Sequence, residues 1–463
     1  MLDGDLSIDA GELLVSGFEH DLKTRRPLKL RLWGVLLLVI TIGCGTRPGP
    51  PGTVTLVISG DTAGWIVPCG CTSNQSGGLP RRGAFVQSLR SDSAVISADV
   101  GGAAAGVSLY DQTKFESILV GELKMGLVAH NLGAAEARFG AEYLREVSHR
   151  LKAPLTSCNV SDSSGKPVVA THRIAEISGR RIAFVGVLTE TPAISGLKIE
   201  APRAAILNLL PTLKGTYDHL IVLAYLPEAE LRTLAASLPE ADAVIGGPTG
   251  QSIVPERAGP TWIAAATNKG KFVISLTVKE GERGWSGKVH ELNDEYSDDP
   301  VQKENVTEFH KILKERDFTA DQTSFISMAA RDFPDGFRVV GSERCLDCHS
   351  NACDAWKASK HSHAWDSLTR TGSQVDAYCQ QCHTTGFGLP GGFESVSRSP
   401  RRISVGCEDC HGAGSAHIAE PVVHTPFFQQ AEHHCQRCHD RENSPKFDYE
   451  KYWPMISHGG KQP

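Results

Sequence analysis

The chain has 463 residues, with 47 Lys plus Arg against 53 Asp plus Glu and a formal net charge of −6. That length exceeds one ordinary hydrophobic core and predicts two or three domains. Mild acidity, with no basic run beyond the N-terminal segment, excludes nucleic acid as an expected partner. Its 13 cysteines are more than a cytosolic enzyme usually carries.

Residues 1–22 are acidic (Asp3, Asp5, Asp9, Glu12, Glu19, Asp21), which is wrong for the front of an export signal. They are read as an over-extended gene start. Residues 23–43 follow the pattern of a signal peptide: a basic Lys23-Thr-Arg-Arg-Pro-Leu-Lys-Leu-Arg31, then a short apolar run at 32–42. A retained anchor is the alternative. Thr41-Ile-Gly-Cys44 resembles a bacterial lipobox, which implies cleavage before Cys44, its lipidation, and a membrane-anchored lipoprotein in the periplasm or on the outer cell surface. Residues 44–53 are rich in Gly and Pro and predict a tether.

From 54 to 292, short apolar runs alternate with amphipathic stretches. Strands are predicted at 54–59, 94–100, 154–160, 181–188, 219–225, 243–247, 261–266 and 272–278. A helix is predicted over 113–132, where Phe115, Ile118, Leu119 and Leu127 fall near helical spacing. Interleaved strands and helices predict an α/β layered domain with functional loops at one sheet edge.

Five segments of this region carry a resemblance. They are Val54-Thr-Leu-Val-Ile-Ser-Gly-Asp61, Gly77-Gly-Leu-Pro-Arg-Arg82, Asn131-Leu-Gly-Ala-Ala-Glu136 with Phe139-Gly140, Ser157-Cys-Asn159, and Ala243-Val-Ile-Gly-Gly247. Their order resembles the metallophosphoesterase domain of periplasmic 5′-nucleotidases and UDP-sugar hydrolases. The resemblance implies an αββα layered fold and a two-metal site that activates water and clamps phosphate. The positions of that family's ligands are largely replaced. Ala63 stands in the first loop, Gly102 in the second, Ala134-Ala135 for the Asn-His pair, Tyr225 near the later histidine, and Pro248 and Gly250 in the last motif. Asp61 alone matches, and one carboxylate cannot hold two divalent cations. The prediction is a scaffold without its metals and without catalytic residues. Cys69, Cys71 and Cys158 are read as facing the same cleft, either as a disulfide with a spare thiol or as a soft-metal site.

Residues 293–336 turn polar. The stretch 301–317 places Val301, Val306, Phe309, Ile312 and Leu313 on one helical face and predicts a connecting helix.

The region 337–463 contains one pentapeptide four times: Cys345-Leu-Asp-Cys348-His349, Cys379-Gln-Gln-Cys382-His383, Cys407-Glu-Asp-Cys410-His411 and Cys435-Gln-Arg-Cys438-His439. C-x-x-C-H is the attachment signature of haem c, in which two thiols bond the porphyrin and the adjacent histidine ligates iron. With 13 Cys and 18 His in 463 residues, about 0.01 accidental matches are expected. The fifth-place histidine argues against structural zinc or a redox dithiol. Four haem c groups are therefore expected, in a mostly helical and coil domain whose macrocycles replace an aliphatic core.

The flanking stretches, Trp356-Lys-Ala-Ser-Lys-His361-Ser-His363, Thr384 to Phe393, Gly412-Ala-Gly-Ser-Ala-His417 and Tyr452-Trp453 to His458, together resemble the tetrahaem cytochrome c-554 family. That resemblance implies distal ligands at His361, His417 and His458, with His363, His424, His433 and His434 as spares. It also implies that one haem can remain five-coordinate. Cys353 is read as a buried structural thiol. The expected function is electron transfer with redox partner proteins, beside a phosphoesterase-like domain kept for docking or ligand binding. The alternatives are a bifunctional phosphoesterase with a cytochrome tail, and a multihaem reductase of a small nitrogen or sulfur oxide.

Overall fold

The computed structural model describes residues 52–68, 75–190, 194–325, 336–427 and 431–458. The expectations for the gene start, signal peptide, Cys44 and most of the tether lie outside these residues, as do Cys69 and Cys71. The described residues belong to one compact unit, Pro50–Pro463.

Two six-stranded sheets build the N-terminal lobe. The first runs, edge to edge, Ser286–Glu291, Phe272–Val278, Val54–Ser59, Ala94–Asp99, Leu127–Asn131 and Leu155–Thr156. The second runs Ile253–Ala258, Thr261–Ala265, Ala243–Gly247, His219–Tyr225, Arg180–Leu188 and His172–Ile177. Val54–Ser59 is buried along its whole length, as a central strand covered on both faces must be. Val54, Leu56, Ile58, Ile274 and Leu276 of the first sheet interdigitate with Phe184, Ile221, Leu223 and Ile245 of the second. Helices cover the outer faces, which completes the αββα layering. Each fully buried aliphatic side chain here stabilises the fold by about 1.5–3 kcal/mol. The parallel strands ending at Ser59, Asp99, Asn131 and Tyr225 deliver their loops to one edge.

Where sequence and structure differ, the reasons are local. The predicted helix 113–132 is a helix at Leu109–Lys124 followed by the strand Leu127–Asn131. Ser108 and Asp111 form a capping box at its start, and Gly126, at φ 91°, turns the chain out of it. The predicted strand 154–160 is two short pieces, Leu155–Thr156 and Val160–Asp162. Between them Asn159 turns inward and donates its amide to the carbonyls of Leu188 and Glu200. Strands His172–Ile177, Leu197–Ile199, Ile253–Ala258 and Ser286–Glu291 went unpredicted because their solvent-facing sides dilute the apolar signal.

The connecting helix is Pro300–Arg316, capped by the Asp299 side chain on the Gln302 amide. Its inner face includes Gln302 and Asn305, which bond the carbonyls of Gly121 and Ser117, while Val301 faces solvent. Beyond it lie short helices, among them Ser350–Lys357, Ala364–Thr371, Ala377–His383 and Cys407–His411. Their few core side chains, such as Trp365, Leu368 and Phe393, continue the cluster built on Phe115 and Leu119 of the N-terminal lobe. No helix among the described residues is long and apolar enough to cross a membrane.

Candidate haem sites and a remodelled cleft

The loops at the shared sheet edge surround Asp61, itself at φ 50°. Its Oδ2 accepts hydrogen bonds from Thr267 Oγ1 at 2.8 Å and the Asn268 amide at 3.1 Å. Burial pushes its carboxyl above the ordinary range, against those bonds. Gly102, at φ 78°, lies under the Tyr225 ring: a Cβ there would stand 2.4 Å from Cε2. Burial, with smaller effects from Asp61, Glu136 and Asp99, pushes the Tyr225 phenol above its usual value. Glu136 accepts the amides of Ala103 and Ala104 at 2.5 and 3.1 Å. The cleft that would hold two cations thus contains a tyrosine ring, and the Asp61 carboxylate holds a loop.

Beneath it lies a fully buried charge cluster whose members the sequence did not single out for this role. Arg82 Nη1 donates to Glu122 Oε1 at 3.1 Å and stands 3.8 Å from Asp99. His130 Nδ1 lies 2.8 Å from Glu122 Oε2 and 3.9 Å from Asp99. Asp99, Glu122 and His130 could converge on one ion. The guanidinium already supplies the positive charge there, so the cluster reads as a structural network.

Cys158 carries no disulfide among the described residues. It packs against the apolar cluster on the outer face of the second sheet, which includes Val187, Ile206 and Val222. That corrects the expectation that it faces Asp61's cleft.

In the C-terminal lobe, the four motifs sit on short helical turns. Asp376 caps Ala377–His383 by accepting the Tyr378 amide at 2.9 Å. Asp409, inside the third motif, accepts the amides of Gly386 and Gly406 at 2.9 and 2.8 Å, and burial pushes it up to about 7. Glu408 takes the amides of Val340, Gly341 and Gly414. The Cys345 and Cys407 thiols are neighbours, as are those of Cys382 and Cys438. Cys410 is a neighbour of Cys435 and Cys438. The first motif therefore adjoins the third, the third the fourth, and the fourth the second.

Three histidine pairs stand out. His349 faces His417 with ring centroids 5.9 Å apart, His411 faces His458 at 5.9 Å, and His361 faces His439 at 6.1 Å. Imidazole nitrogen binds a first-row metal at about 2.0–2.1 Å, so two rings on one ion have centroids about 6 Å apart. Each pair joins one motif histidine to one from outside the motifs. Nδ1 of His417 is held by the Val423 carbonyl at 2.8 Å, that of His458 by Ile456 at 2.8 Å, and that of His439 by Ser444 at 3.0 Å. In these three rings Nε2 is the nitrogen left to ligate a metal. Burial lowers the proton affinity of His361, His411 and His439, favouring the neutral, ligating form. This donor set fits haem iron.

The second motif differs. His383 Nδ1 bonds the Ala364 carbonyl at 2.8 Å, and no histidine among the described residues stands opposite it at the paired spacing. His363 is exposed and pairs with Asp366, and His434 stacks on Phe427. The side chain of His433 lies outside the described residues. Cys353 is 2 % exposed, as read from the sequence.

Residues 344–412 match the family described as cytochrome c554 and c-prime. The fold is similar to a 5′-nucleotidase precursor from Thermus thermophilus, with 19 % identity and a TM-score of 0.50, covering 58 % of this chain and 60 % of that one. Further similar structures are the Haemophilus influenzae NAD nucleotidase, at 15 % identity, TM-score 0.49 and 58 % and 61 % coverage, and a Staphylococcus aureus 5′-nucleotidase, at 16 %, 0.48 and 65 % and 67 %. No curated protein sequence matches the chain. The chain spans about 60 % of the length of the first two structures. It joins a lobe with the 5′-nucleotidase fold to a C-terminal segment that matches the cytochrome c554 family.

Proposed function

We propose that this is an exported electron carrier that holds four haem c groups, with the phosphoesterase-like lobe serving as a docking scaffold that does not hydrolyse phosphoesters. When bound, each haem supplies a one-electron ferric/ferrous couple. The observation that carries this reading is the set of three histidine pairs at 5.9, 5.9 and 6.1 Å. Each pair would supply two imidazole nitrogens to one iron, and such an iron is suited to passing electrons rather than binding a substrate. Two of the eight motif cysteines would fix each macrocycle, and the bonds on Nδ1 of His417, His458 and His439 orient those rings. Contacts between motifs support a path from the first through the third and fourth to the second. Redox partner proteins would meet it at exposed haem edges, and a lipid on Cys44 would hold it to the membrane.

A second reading is favoured by His383. Its Nδ1 is held by the Ala364 carbonyl, and a haem there with one position open would suit reduction of a small nitrogen or sulfur oxide. The phosphoesterase alternative finds support in the fold, but Tyr225 and the engaged Asp61 weigh against it.

Haem quantification with electron paramagnetic resonance on the purified protein tests both. Four haems per chain with low-spin signals from three pairs support the carrier. One additional high-spin signal supports an open second haem. Fewer than four haems would sink the reading.

A further inference from the structure

Two separate contacts bring the phosphoesterase-like lobe onto the second motif. Tyr110 and Lys114, one turn apart on the helix Leu109–Lys124, both meet Asp376. The Tyr110 hydroxyl donates to Asp376 Oδ1 at 2.5 Å, and Lys114 Nζ donates to that hydroxyl at 2.7 Å and lies 3.8 Å from Asp376 Oδ2. Tyr110 is 1 % exposed, and Lys114 and Asp376 are each 8 % exposed. Asp376 is also the side-chain cap of the helix that carries Cys379, Cys382 and His383. In the second contact, Trp65 meets the Tyr378 ring edge-on at 5.1 Å, and Lys269 lies over Trp65 while pairing with Glu442 beyond the fourth motif.

A lysine and an aspartate buried together cost desolvation, and removing either leaves the other uncompensated. This pair joins two lobes and ends on a haem-bearing helix, so it can act on the haem in two ways. It fixes the first turn of the helix that presents His383. It also places a compensated carboxylate next to Cys379, where the surroundings dampen fields poorly.

We propose that Tyr110 and Lys114 are positioning residues for the second haem, holding Asp376 and thereby setting that haem's place and reduction potential. The inference rests on the haem reading above. Ferric iron carries one more positive charge than ferrous, so an uncompensated carboxylate nearby favours the ferric state and lowers the potential.

The test is a redox titration of the full-length holoprotein and of K114M, D376N, Y110F and the K114M/D376N double variant. The second haem's wave is identified as the one that C379A/C382A removes. K114M is expected to move that wave to lower potential and D376N to higher, and the double variant to return it toward wild type. The other three waves stay in place. Y110F, which removes one hydroxyl and is the mildest change, moves it in the K114M direction. Selective loss of the second haem counts with a selective shift. A second wave unmoved in all variants, or an equal change in all four waves, overturns the inference. If C379A/C382A removes no haem from the protein, the haem reading itself fails.

Discussion

The ring of Tyr225 occupies the space into which any side chain on Gly102 would project, with Cε2 only 2.4 Å from the Cβ position. Gly102 also has φ 78°, a left-handed conformation that only glycine adopts without strain. Restoring a bridging carboxylate is therefore not a one-residue change. G102D combines a clash, a strained backbone and a carboxylate pressed against a ring, and is expected to destabilise by about 3 kcal/mol or more. It should gain no phosphatase activity with added Mn²⁺ or Zn²⁺. Chemical denaturation and a phosphoester assay check the two halves separately.

Each histidine pair makes a spectroscopic claim. H417A would leave His349 facing an open position, and H458A and H361A would do the same for His411 and His439. Each variant is expected to retain all four haems while converting one low-spin signal to high-spin. H363A should change nothing, because His363 is exposed and pairs with Asp366 on its own helical turn.

The haem centres were readable because covalent attachment fixes both residue type and spacing within five residues. The pairing of His349 with His417, and of His411 with His458, needed the fold, since the two rings of each pair are far apart in the chain. The layered fold was readable from its central strands, whose buried apolar runs leave an unmixed signal. Edge strands such as His172–Ile177 lack that signal because one face meets water. Glu122 and His130 showed nothing in sequence beyond polar residues amid apolar ones, and Arg82 stood out only as part of the segment Gly77–Arg82. Their meaning depends on three elements converging.

The Asp61 carboxylate anchors the turn at Thr267–Asn268. D61A removes the acceptor for two hydrogen bonds, one of them from a buried side chain. The expected cost is about 1–3 kcal/mol, with D61N recovering part of it. Chelator treatment of the wild type should leave its stability unchanged. A large loss on chelation would mean that a cation is bound after all.

The buried network gives the fold a pH dependence of definite sign. Burial lowers the proton affinity of His130, but Glu122 and Asp99 outweigh it and hold the imidazole at about 9, above its ordinary 6.5. Burial likewise pushes Glu122 up to about 7, with Asp99 adding and His130 and Arg82 opposing. Both groups bind protons more tightly folded than unfolded, so their contribution falls as pH rises. For His130 it is fully present below 6.5 and is lost as pH passes through about 9. In H130Q the amide cannot charge, so the loss between pH 6.5 and 9 should flatten. That variant should be less stable at pH 6 by about 1–3 kcal/mol, because Glu122 loses its buried hydrogen bond to His130. Urea unfolding followed by circular dichroism at pH 6 and pH 9 compares the two proteins. Equal pH slopes would show that His130 is neutral in the folded state, leaving Arg82 alone to balance Glu122 and Asp99.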